Sequence, residues 1–108
     1  MDRVLGMLGI ACRAGRVESG SFLAEKAIQG RRAYLVIAAG DAGKNTVSML
    51  MNKCAYYHVP FRTYETMEVL GHALGKGDRS CLAVTDEGIA AKLLTLLSDG
   101  QMRESGES

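Results

Sequence analysis

Tyr34-Leu35-Val36-Ile37-Ala38-Ala39 is an unbroken apolar run of strand length. A strand with one wet face alternates apolar and polar residues. This one does not, and its β-branched Val36 and Ile37 favour a strand covered on both faces. Gly40-Asp41-Ala42-Gly43 follows as a turn. Residues 44–57 then place Val47, Leu50, Met51 and Cys54 at helical spacing. Upstream, residues 2–14 carry Val4, Met7, Leu8 and Ala11 on one stripe and stop at Gly15, a natural helix end. A short extended piece at 16–19 precedes a second helix at 22–28 that ends at Gly30, with Ser19 or Ser21 available to cap it. Downstream, 59–64 reads as a short strand with the only proline near its start. Residues 66–74 form a short helix ended by Gly75, and Cys81-Leu82-Ala83-Val84 is a second apolar strand. Thr85-Asp86 caps a last helix carrying Ile89, Leu93, Leu96 and Leu97. The alternation predicts an α/β fold, a three-layer α-β-α sandwich with a four-stranded mixed sheet and five helices.

The chain has 108 residues, enough for one domain and one core without a disulfide or metal staple. The domain is expected at 1–97, with a disordered polar tail at 98–108. No apolar run reaches membrane-spanning length, and the first residues do not read as a secretory leader, so a cytoplasmic location is expected. Cys12, Cys54 and Cys81 are widely spaced and form no CxxC pair, which predicts free thiols in a reducing compartment and no zinc site. The net charge is +1. Its distribution is uneven. Residues 1–54 hold eight basic against four acidic side chains, and residues 55–108 hold five against eight. Such asymmetry can place a basic face on a nearly neutral protein.

Few motifs carry chemistry. Residues 40–46 look like a phosphate loop, but Ala38 stands where a Walker A loop needs glycine, and Asn45 stands where it needs Ser or Thr for magnesium. No GxGxxG follows a predicted strand, so a dinucleotide cofactor has no fingerprint. His58 and His72 have no Cys, Asp or Glu at metal-ligand spacing, and no catalytic set is found. The informative stretch is Ser19-Gly20-Ser21-Phe22-Leu23-Ala24-Glu25-Lys26. A glycine at the start of a helix exposes backbone N–H groups at its positive end, which suits a phosphate. Lys26 is about one and a half turns on, at 3.6 residues per turn. Arg31 and Arg32 follow the helix, and Lys44 opens the next.

The order and spacing of several short pieces resemble one family. They are Ala14-Gly15-Arg16-Val17, Ser19-Gly20, Lys26-Ala27-Ile28, residues 35–41, Cys54, His58-Val59-Pro60, residues 70–75 and residues 83–88. Over roughly residues 3–95 the chain is similar to the kink-turn RNA-binding ribosomal protein superfamily, in its bacterial YlxQ-type branch. The resemblance implies the same sandwich. It also implies an RNA surface built from the start of the second helix, the turn after the second strand and the loop before the last strand. Gly20 and Lys26 match the ends of the family's second-helix motif. Phe22 and Leu23 stand where kink-turn binders place Asn-Glu or Lys-Gln, so the expected contacts are to phosphate, and Leu23 cannot read a base edge by hydrogen bonding. The loop Gly77-Asp78-Arg79-Ser80 is polar where the family's is apolar, and Gly40 stands where the family often has glutamate.

The expected function is therefore non-catalytic binding of structured RNA, ribosomal or kink-turn-like, in transcription or translation, with no cofactor, metal or membrane. The expected contact is a basic edge of Gly20, Ser21, Phe22, Lys26, Arg32 and Lys44. Gly20 and Ser21 offer N–H groups, the cations supply charge, and Phe22 stacks. A protein-interaction module, using Phe22 and Leu23 against a partner in the translation machinery, is the first alternative. A small-ligand or enzymatic domain using the turn at 41–45 is the second.

Overall fold

The two apolar runs become the central strands, and their neighbours follow from that. The structure of the chain, a computed structural model, describes residues 2–107, with side chains placed for 2–98. The elements run α1 (Arg3–Arg13), β1 (Val17–Ser19), α2 (Ser21–Gln29), β2 (Leu35–Ala38), α3 (Lys44–Tyr57), β3 (Phe61–Thr63), α4 (Met67–Ala73), β4 (Cys81–Val84) and α5 (Glu87–Glu107). The four strands form one mixed sheet in the order β1-β4-β2-β3. β4 is antiparallel to both β1 and β2, while β2 and β3 are parallel and joined through α3. The expected tail at 98–108 falls largely on side chains outside the described residues.

Both central strands are buried along their whole length. Their alternate side chains build two separate cores, as the pleat requires. Leu35, Ile37, Leu82 and Val84 pack with Val4, Leu8, Leu70 and Leu93 beneath α1, α4 and α5. Val36, Ala38, Cys81 and Ala83 face the other way and pack with Ala24, Ala27, Ile28, Leu50 and Cys54 beneath α2 and α3. This second core is rich in alanine. Cys54 and Cys81 are buried and Cys12 is half-buried, all three free. Burial pushes the Cys54 thiol up to about 11, the opposite of what a nucleophile needs.

The register defines the two ends of the sheet. Ala38 pairs with Cys81 at one end, and Leu35 pairs with Val84 at the other. The Gly20 N–H donates to the Cys81 carbonyl, 2.9 Å away, so α2 begins at the first end. Helix α3 begins there too, because it leaves the end of β2 through the turn after Ala38. It finishes at the second end, feeding β3 through Pro60, whose carbonyl accepts from the Val36 N–H at 3.0 Å. Helices α2 and α3 therefore run the same way, start at one end of the sheet and stop at the other. An ion pair between Lys53 and Glu25, 3.5 Å apart, ties them together.

Candidate nucleic-acid interface

Helix α2 starts on Gly20, with φ 95° and ψ 155°, a region that essentially only glycine occupies. Neither serine beside it supplies the expected cap, and no side chain does. Helix α3 starts on Gly43, again without a side-chain cap. The first-turn N–H groups of a helix have no partner inside the helix. Two such sets therefore open at the same end of the sheet, each at the positive end of a helix dipole.

The side chains around them fit this reading in part. Ser21 is half-buried, and Phe22 is 69% exposed beside Leu23 at 43%. The Lys26 ammonium sits over the Phe22 ring, 5.3 Å from its centroid, one turn along the same face. Lys44 is exposed at the first turn of α3. Gly20, Ser21, Phe22 and Lys44 thus gather at this end, with Lys26 just behind them. Arg32 does not join them. It follows the carboxyl end of α2, at the far end of the sheet, and is ion-paired with Glu18 of β1. A helix of nine residues separates it from Gly20, which is about 14 Å at a rise of 1.5 Å per residue.

One residue at this end lies outside the expected set. Arg79, in the loop before β4, donates from Nε to the Ser19 hydroxyl at 3.1 Å and from its terminal nitrogen to the carbonyls of Gly77 and Asp78. This fastens the 77–80 loop beside Gly20, sixty positions away in the chain. The loop owes its place to Gly71 of α4, where a Cβ would run into the Gly77 carbonyl. The Arg79 N–H also donates to the Met67 carbonyl at 3.0 Å. On the third side, the Asp41 carboxylate accepts from the Met67 N–H at 2.8 Å, which folds the turn after β2 onto the start of α4. The start of α2, the turn after β2 and the loop before β4 are therefore neighbours.

Residues 2–94 match the Ribosomal protein L7Ae/L30e/S12e/Gadd45 family. The chain belongs to that family. Among L7Ae-family relatives, an RNA-binding protein YlxQ of Bacillus subtilis is 46% identical over 91 residues, which are 84% of this chain and 91% of that one. The Enterococcus faecium RNA-binding protein YlxQ is 31% identical over 97 residues, 89% of this chain and 92% of its own. A solved Bacillus halodurans protein of unknown function superposes with a TM-score of 0.88 at 35% identity, covering 91% of this chain and 99% of that one. A Giardia lamblia 15.5kD RNA binding protein shares the fold, with a TM-score of 0.69 at 20% identity over 85% of each chain.

Proposed function

We propose that this L7Ae-family chain is a non-catalytic bacterial RNA-binding protein that docks structured RNA on the end of the sheet where α2 and α3 begin. The observation that carries the reading is the pair of parallel, glycine-started helices whose uncapped N–H groups open side by side. The Gly20 N–H is committed to the Cys81 carbonyl, so Ser21 and the next residues of the first turn present N–H groups to one phosphate, and Lys44 marks a second. Lys26 and Arg79 add charge that is not sequence-selective. Phe22 offers a stacking face. The names of the two YlxQ relatives support RNA as the ligand class. With Phe22 and Leu23 at the base-reading places, recognition rests on backbone shape and charge more than on base edges.

The test is a titration against a kink-turn RNA, a duplex of equal length and a ribosomal RNA pool at two salt concentrations. Lys26→Ala and Lys44→Ala are each expected to weaken binding to every RNA bound. Each should also flatten the log–log salt slope by about 0.7–0.9 for every phosphate no longer neutralised. Absence of binding, or an unchanged slope in both variants, defeats the reading. The exposed Phe22–Leu23 pair favours a second reading as a protein contact. A partner retained after nuclease treatment and released by Phe22→Ala would put that reading first.

A further inference from the structure

We propose that the cleft at the carboxyl ends of α2 and α3 is a second nucleotide subsite, which takes one unpaired base of an RNA whose structured part docks at the amino ends. The inference rests on the RNA reading above for its ligand class, and on separate geometry for its site.

The cleft has a volume of about 220 Å³ and is lined by Arg31, Tyr34, Tyr57, His58 and Pro60 over an apolar floor that includes Ile28. It is smaller than the roughly 300–1,000 Å³ of pockets for drug-sized ligands, which suits one planar ring system. The Arg31 guanidinium carbon lies over the Tyr57 ring, 5.2 Å from its centroid, and Arg31 itself is exposed. An arginine plane backed by an aromatic ring is a stacking platform for a base, and Tyr34, 43% exposed, supplies a second ring at the rim. Among the described residues, no carboxylate lines the cleft.

The backbone points the same way. Arg31 and His58 both sit in the left-handed region, with φ of 58° and 59°, at the ends of α2 and α3. Glycine is the unstrained residue at such helix ends. Here both positions carry a side chain with hydrogen-bond donors, and both line the cleft.

Charge complementarity selects a nucleic acid over a peptide. Residues 20–34 and 43–58, which make up the α2–α3 layer and its ends, hold Lys26, Arg31, Arg32, Lys44 and Lys53 against Glu25 alone. Glu25 is paired with Lys53, and Arg32 with Glu18. Lys26 and Arg31 remain along the path from the starts of the helices to the cleft, without a carboxylate partner among the described residues. An unpaired strand leaving the docked RNA along α2 meets cations and then the cleft.

The experiment compares one structured RNA with and without a six-nucleotide unpaired extension at either end, using the full chain. One extension is expected to tighten binding about five- to tenfold, in line with stacking of a single base. The gain should vanish in Arg31→Gly and Tyr34→Ala, and in an RNA with one abasic position. Binding of the unextended RNA should stay unchanged in both variants, because they lie at the other end of α2. Arg31→Gly places glycine where the backbone already prefers it, so loss of folding does not confound the result. If the unextended RNA binds but neither extension adds affinity, or the gain survives in both variants, the subsite is overturned and the docking reading stands. If the unextended RNA does not bind, a free hexauridylate is titrated by tyrosine fluorescence, in a chain that has four tyrosines and no tryptophan. Saturable quenching that disappears in Arg31→Gly, which leaves all four tyrosines in place, supports the subsite alone, and no quenching overturns it.

Discussion

In the layer built by α1, α4 and α5, each helix begins on a side chain that satisfies its own backbone. Asp2 accepts from Val4 and Leu5, Thr66 from Val69, and Asp86 from Ile89. In the layer built by α2 and α3, both helices begin on glycine and leave the same groups open. The charges divide along the same line. Through residue 98, the first layer and its caps hold three cations, Arg3, Arg13 and Lys92, against four carboxylates, Asp2, Glu68, Asp86 and Glu87. The second holds five cations against one carboxylate. One layer caps its own helices, and the other leaves its helix starts uncapped, an arrangement suited to an anion. The missing cap is thus as informative about function as any side chain present.

The comparison is broken most severely at Gly20. A Cβ there would meet nothing within 4 Å, but the backbone conformation suits only glycine. Gly20→Ala should cost about 1–3 kcal/mol of stability in urea unfolding. It should also weaken RNA binding about tenfold, equivalent to roughly 1.4 kcal/mol. A variant as stable as the parent would show that the helix can start another way. On the complete layer, Asp86→Ala should cost about 1 kcal/mol through loss of the α5 cap and leave RNA affinity unchanged. A parallel loss of affinity would mean the two layers are not separable. The smallest effect is the sharpest. Gly43 has ordinary φ and ψ and room for a Cβ. Gly43→Asp should stabilise the protein by a few tenths of a kcal/mol by capping α3, yet weaken RNA binding by placing a carboxylate where phosphate is expected. If affinity holds, the start of α3 is not part of the RNA-binding surface.

Much of the fold is legible in local patterns. The span of α3 and the four residues of β4 coincide with expectation, because a sustained helical stripe and a short wholly apolar run each have one good solution. β2 and β3 are shorter than the runs that suggest them, since ladder pairing stops where partner strands stop. The grouping of the candidate residues is legible where it depends on one segment, as with Gly20, Ser21, Phe22 and Lys26. Arg32 is close to Lys26 in the chain but lies beyond the carboxyl end of α2, a helix length away from Gly20. The resemblance singles out the 77–80 loop but not the bond from Arg79 to Ser19 that ties this loop to β1, sixty residues away. The cleft joins Arg31 to Tyr57 and His58 only because α2 and α3 run parallel, and no local pattern reports the relative direction of two helices.

Arg32 has a different consequence through its ion pair with Glu18. β1 and β3 are the outer strands of the sheet, and each is only three residues long. Glu18 and Arg32 place paired charges along the first, while Pro60 precedes the second and Arg62 stands in its middle. Short, charged, proline-flanked margins are poor templates for a further strand. Edge-to-edge pairing between copies of this protein is thereby disfavoured. The arginine that the sequence offers to the nucleic acid protects the protein from itself.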